Sequence, residues 1–245
     1  HARPLVYGWR KTVPLDPPSN RCSGLAVGEL DIALVSSFEF LRNPIYSLID
    51  GLSISSAGPV YSVFVAYQGD FANLREISLD PVSLTSVNLL RCLLAEKNFA
   101  PQLVELSNTE KHLVSADRGG LIIGDQAIRF RQKHGTRFRY WDLGEAWHRL
   151  AGLSFVYALW RVRPGVPSSE VIANRLRAQL SQNLERLDEV IAASPDFDPA
   201  FCEHYYRDCI QFTFGPKEKE GLIAFQHLSE KHGILPPRVL DLRLI

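Results

Sequence analysis

Short apolar runs alternate with helical patterns along the chain, the signature of an α/β fold with a largely parallel sheet. Leu30 to Ser36 (LDIALVS) reads as a buried strand behind a short amphipathic helix at Cys22 to Gly28. Val60 to Tyr67 (VYSVFVAY) reads as a longer strand, Ile77 to Leu79 as a short one, Gly120 to Ile123 as another buried one and Ser154 to Val162 as a second long one. Between the third and fourth of these, Val87, Leu90 and Leu94, with Leu89 and Leu93 beside them, line one face of a helix. From Ser168 the spacing predicts a long helix with apolar positions at Val171, Leu176, Leu180, Leu184, Leu187 and Ile191. Two more helices are predicted over 200–211 and 216–232, around Phe214-Gly215-Pro216.

The long strands at 60–67 and 154–162 bracket a self-contained α/β block. This predicts two lobes: residues 1–65 with 160–245 as one, discontinuous in sequence, and 66–159 inserted as the other. The two strands would cross between the lobes, with a ligand cleft beyond the strand ends and hinge closure as the natural motion.

Composition narrows the ligand. The 27 basic and 27 acidic residues cancel, so net charge points to neither a nucleic-acid nor a membrane-surface partner; a small molecule is expected. The four cysteines are too scattered for a zinc ribbon or a redox pair and too few for a disulfide scaffold, which fits a reducing cytoplasm. Cys202, His204 and Cys209 lack the usual metal-ligand spacing, so no metal site is expected there. No apolar run reaches the roughly 18 residues that span a bilayer, and no leader is evident. The chain opens at His1 in mid-motif and holds no methionine, so residues ahead of His1 are expected.

Three segments carry candidate chemistry. In 76–94 a short strand passes through a proline turn into Ser83, Thr85 and Ser86 at the start of a helix. These hydroxyls can cap the first-turn N–H groups or, with the helix dipole, hold a carboxylate or phosphate. Ser53 to Ser62 (SISSAGPVYS) reads as a loop offering Ser55, Ser56 and Gly58, with Ser62 in the crossing strand. Gly124 allows close backbone approach, and Asp125 either accepts a ligand hydroxyl or caps the helix that follows. Ser36, at the end of its strand, is equally ambiguous. No GxSxG, P-loop or GxGxxG occurs.

ARPLVYG (2–8), GELDIALVSSFEFLRNP (28–44), SISSAGPVYSV (53–63), DPVSLTSVNLLRCLL (80–94), LIIGDQAI (121–128) and DLGEAWHRLAGLSFVYALW (142–160) follow one another in an order that resembles the chorismate dehydratases of the futalosine route to menaquinone. The resemblance implies a two-lobed, type II periplasmic-binding-protein-like fold used as a cytoplasmic enzyme. It also implies dehydration of chorismate to 3-[(1-carboxyvinyl)oxy]benzoate with neither metal nor organic cofactor. It puts the family's GPV-x-S serine on Ser62, its S-x-TS motif on Ser83, Thr85 and Ser86, and its IGD on Gly124 and Asp125. The position that the family fills with asparagine is His1 here, expected with Ser62 to orient a substrate carboxylate or assist the departing hydroxyl. Two rivals share the architecture: a solute-binding protein for a small carboxylate, which performs no chemistry, and the 1,4-dihydroxy-6-naphthoate synthase of the same route.

Overall fold

The computed structural model describes residues 3–9, 18–79, 83–105, 114–193 and 196–245. His1 lies outside them, as do Asp80, Pro81 and Val82, where the sequence predicts a proline turn ahead of Ser83. In chain order the elements are α1 (Arg3–Val6), α2 (Pro18–Val27), β1 (Ile32–Ser36), α3 (Ser37–Arg42), β2 (Ser47–Ser56), β3 (Val63–Tyr67), β4 (Glu76–Leu79) and α4 (Leu84–Glu96). They continue with β5 (Gln102–Glu105), β6 (Arg118–Ile123), α5 (Gly124–His134), β7 (Arg139–Asp142), α6 (Leu143–Ala151) and β8 (Phe155–Val162). Helices α7 (Ser169–Glu185), α8 (Leu187–Ala192), α9 (Pro199–His204) and α10 (Pro216–Lys231) complete the order.

The chain forms two compact units. The first holds His1–Ser55, Val156–Glu220 and Arg238–Ile245; the second holds Ser56–Phe155 and Gly221–Pro237. The sequence expectation left the whole stretch after 160 in the first lobe. Residues 221–237 cluster with the second unit because Phe225 of α10 packs against Trp147 and Phe155, with ring centroids 6.0 and 5.0 Å away. All three rings are almost fully buried.

The first unit contains a three-stranded sheet, β1-β8-β2, in which β1 runs antiparallel to β8 from Ile32↔Val162 to Ser36↔Ala158. Helix α7 buries Ala173, Leu176, Leu180 and Asn183, a three-and-four spacing that leaves Val171 and Leu184, predicted as apolar-face positions, exposed. Asn183 is buried because its Nδ2 donates to the carbonyls of Pro4 and Tyr7, both at 2.9 Å, tying α1 down.

The second unit contains a five-stranded sheet, β5-β4-β6-β3-β7. Strand β4 is parallel to β5 and β6, but β3 is antiparallel to both β6 and β7. The second sheet is therefore mixed and the first holds an antiparallel pair, where the sequence pattern predicted a largely parallel sheet. Alternation of strand and helix sets the class, but strand direction is set by pairings between distant residues, such as Phe64↔Asp142, 78 apart, and Ile32↔Val162, 130 apart.

Candidate functional site

Strand direction decides where the ends of the second sheet lie. Because β4 and β6 run together and β3 runs against β6 and β7, the C-terminal ends of β4, β6 and β7 share one edge with the start of β3. Helices α5 and α6 start immediately after β6 and β7, and α4 starts five residues after β4 ends. The N-termini of α5 and α6 therefore open on the edge where Ser62 leads into β3, and the chain leaves β4 for α4 from that same edge. Each N-terminus brings first-turn N–H groups with no intrahelical partner, and the positive end of a helix dipole.

Ser83 occupies the N-cap position of α4 but makes no side-chain cap hydrogen bond. Its carbonyl accepts from Val87 N at 3.0 Å. The plain capping role that serine usually fills here is thus not taken up by the Ser83 side chain. Ser83, Thr85 and Ser86 are all buried at this terminus. Helix α5 is likewise without a side-chain cap at its N-cap, Ile123. Asp125 sits one position inside the helix, exposed, as the acid of the first turn rather than as the N-cap residue. Gly124 has φ +61, the left-handed region that glycine enters without cost, and turns the chain from strand to helix. Its N–H donates to the Ser62 carbonyl at 2.7 Å. Ser62 and Gly124 are therefore in direct contact across the sheet edge, as their distance in sequence does not reveal.

The segment SISSAGPVYS differs from its predicted form. Ser53, Ser55 and Ser56 lie not in a loop but in β2, all buried. The Ser53 hydroxyl donates to the Thr213 carbonyl and that of Ser56 to the Gly58 carbonyl at 3.2 Å. Main-chain partners of this kind let serines sit inside a strand. Ser55 pairs through its backbone with Gln211, while its buried hydroxyl has no hydrogen-bond partner. Ser55 and Ser36 belong to the first unit and Ser56, Gly58, Ser62, Ser83, Thr85, Ser86, Gly124 and Asp125 to the second. Beyond Gly58 an added side chain would meet nothing within 4 Å, so the backbone there is open to approach.

The strand predicted to begin at Val60 begins at Val63. Residues 60–62 instead form a three-residue turn, in which Ser62 N donates to the Val60 carbonyl at 2.7 Å and Tyr61 has φ +65. A carboxylate unmarked in the sequence reading holds this turn. Asp142, at the end of β7, accepts from Tyr61 N at 2.8 Å and from Val60 N at 3.1 Å. It also caps α6 by accepting from Glu145 N at 3.0 Å. Burial pushes its carboxyl above the usual value, against the opposing pull of these N–H donors. The signal was present in the sequence as Asp-Leu-Gly-Glu ahead of an apolar helix, an N-cap pattern.

Among the described residues no group of three His, Cys, Asp or Glu side chains could hold a metal ion. His204, Cys209 and Asp208 make a local pair set, with Nδ1 of His204 2.8 Å from Asp208 and Nε2 3.5 Å from the Cys209 sulfur. Nor is any helix among them long and apolar enough to cross a membrane.

The sequence is similar to a chorismate dehydratase from Thermus thermophilus, 30% identical over 219 residues that cover 82% of this chain and 80% of the relative. The fold is similar to a crystal structure from Archaeoglobus fulgidus, with TM-score 0.71, 17% identity and coverage of 95% of this chain and 94% of that one. It is also similar to a Candida albicans gene product described as having the generic periplasmic-binding-protein fold, with TM-score 0.67, 13% identity and coverage of 97% and 88%. The fold is thus periplasmic-binding-protein-like. The family model described as menaquinone biosynthesis matches residues 4–231, so with the Thermus relative beside it the chain belongs to the menaquinone biosynthesis family.

Proposed function

We propose that this protein is a chorismate dehydratase acting in the cytoplasm, converting chorismate to 3-[(1-carboxyvinyl)oxy]benzoate and water. The observation that carries the reading is the conjunction, on one sheet edge, of Ser62 with the N-termini of α5 and α6 and the end of the strand that leads to α4, in a chain whose curated relative bears that name. Chorismate is a dianion with a ring hydroxyl, and such an edge offers what each group needs. One carboxylate is held at the first turn of α4, by its N–H groups and the hydroxyls of Ser83, Thr85 and Ser86. The second is held beside Ser62, with Gly124 giving close backbone approach. Asp125, an acid in the first turn of α5, offsets that helix's attraction for an anion and accepts from the ring hydroxyl instead.

Dehydration breaks the ring C–H bond beside the enol ether. That electron pair becomes a ring double bond as the neighbouring C–O bond breaks, and the proton leaves with the hydroxyl as water. Aromatisation drives the step, so the enzyme's task is to position rather than to supply a strong acid. The side-chain carboxylate of the substrate takes the proton from carbon and passes it to the departing hydroxyl, and Ser62 orients that carboxylate. His1, outside the described residues, shares that role in this reading.

Incubation of the protein with chorismate, followed by mass and by the ultraviolet spectrum of the aromatic product, tests the proposal. Product must form at a rate proportional to enzyme, and Ser62→Ala must slow it. A folded protein that binds chorismate without forming product would sink the enzyme reading in favour of a solute-binding protein.

A further inference from the structure

The turn that presents Ser62 is held in an uncommon conformation. Tyr61, a bulky residue, has φ +65, and the turn closes from Ser62 N to the Val60 carbonyl at 2.7 Å, over two residues rather than three. A γ-turn with positive φ is rare and strained and persists only where its surroundings over-determine it. Here they do. Downstream, the Ser62 carbonyl is fixed by Gly124 N at 2.7 Å. At the side chain, the Arg131 guanidinium lies 4.3 Å from the centre of the Tyr61 ring. Upstream, the N–H groups of Val60 and Tyr61 both end on one carboxylate, that of Asp142.

We propose that Asp142 is a positioning residue for catalysis, its carboxylate holding the Val60-Tyr61-Ser62 turn so that the Ser62 hydroxyl faces the substrate. The inference rests on the role given to Ser62 above. A helix cap needs a single acceptor for Glu145 N, and serine would serve as well as aspartate. The second oxygen and the ionised form answer to the turn: Oδ2 lies 2.8 Å from Tyr61 N while Oδ1 faces Glu145 N at 3.0 Å, and Val60 N is shared between them at 3.1 Å. Asp142 is 6% exposed, and burying a carboxylate merely to cap a nine-residue helix would be a costly way to do what a hydroxyl does.

Two substitutions divide the roles. Asp142→Ser keeps a capping hydroxyl for α6 but is too short to reach Val60 and Tyr61. Asp142→Asn keeps the shape but turns an NH2 toward one of the N–H groups it served. Each is to be measured alone and combined with Ser62→Ala, with kcat and KM for chorismate and the thermal midpoint read in parallel. Displacement of a positioned group by about 1 Å costs up to about 100-fold in rate. Asp142→Ser is therefore expected to lower kcat by about 10- to 100-fold with KM changed by less than about threefold, the pattern of a lost transition-state interaction. In the Ser62→Ala background the same substitution should change kcat by less than about twofold, because the group it positions is already gone. Multiplying losses in the double variant, or an Asp142→Ser protein with unchanged kcat, would overturn the inference while leaving the dehydratase reading intact. Absence of chorismate turnover in the unsubstituted protein would overturn that reading and this one with it. If Asp142→Ser does not fold, Asp142→Asn carries the same cycle.

Discussion

Gly221 offers the sharpest check on how α10 meets the second unit, because local and tertiary reasoning predict opposite signs. It lies inside α10, where replacing glycine by alanine ordinarily stabilises by about 1 kcal/mol. In this structure a Cβ at 221 would stand 1.9 Å from the Ser154 carbonyl oxygen and 3.1 Å from its carbon. An ordinary close C–H···O approach needs about 3.3 Å, so the helix or the strand entrance must retreat by about 1.4 Å. Main chain stands on both sides, and no side-chain rotation relieves it. Ser154 O also accepts from the indole of the buried Trp147 at 3.3 Å, so its retreat disturbs the Trp147-Phe155-Phe225 cluster. Overpacking of this kind costs up to about 3 kcal/mol, and the helix gain offsets about 1 of it. Gly221→Ala should therefore lose about 2 kcal/mol, a fall of about 4–8 °C in thermal midpoint for a chain of this size. Urea unfolding and a calorimetric scan of the two proteins measure it. A midpoint that rises, as helix propensity alone predicts, would refute the packing of α10 on Ser154.

Phe225→Ala should cost about 3–5 kcal/mol by opening a cavity among Trp147, Phe155 and the helix, read as a lower midpoint in denaturant with little change in slope. Asn183→Leu should cost about 2–4 kcal/mol, since it leaves the Pro4 and Tyr7 carbonyls without their donor; equal stability would mean that α1 is not held through Asn183. Glu96 is held below the usual carboxylate value by hydrogen bonds from Lys231 and then His232. Its lowered value means that the folded state gains from the ionised form above the ordinary 4.5 and loses that gain as pH falls through the lowered value. Glu96→Gln should accordingly be less stable than the parent at pH 7, and the gap should close in acid; a gap independent of pH would contradict the ion pairs. Asp142 carries the opposite sign: with its carboxyl raised by burial, its contribution is greatest in acid and declines as pH rises from the ordinary carboxylate value through the raised one. Asp142→Ser should flatten that decline in a stability profile against pH.

What could be read along the chain, and what could not, divides by the distance over which each feature is made. Strands β1, β4, β6 and β8 and helices α4 and α10 follow from apolar spacing within a few residues, and their predicted and observed positions nearly coincide, whereas the one long helix predicted from Ser168 through Ile191 is broken at Arg186 into α7 and α8. The hydroxyls at the start of α4 were legible for the same reason, since a helix N-terminus assembles its donors locally. Strand β2 was not: Ser53, Ser55 and Ser56 have the composition of a loop, and only carbonyls from Thr213 and Gly58 let two of those hydroxyls go inside. The direction of β3 was equally hidden, and with it everything that β3 brings together. Once β3 runs against β6 and β7, the Ser62 carbonyl meets Gly124 N and the Ser62 turn meets Asp142, contacts that span 62 and 82 residues. Asp142 carried the local mark of a helix cap, and that mark was true but incomplete, because its remaining acceptor capacity is spent on a turn that only the sheet register puts within reach. A sequence therefore announces groups that bind through their own neighbours and conceals groups that act by holding a distant one. On this argument, residues that position Ser62 are to be sought among the caps and strand ends that face it across β3, and Asp142 is the one whose geometry already departs from what its local role requires.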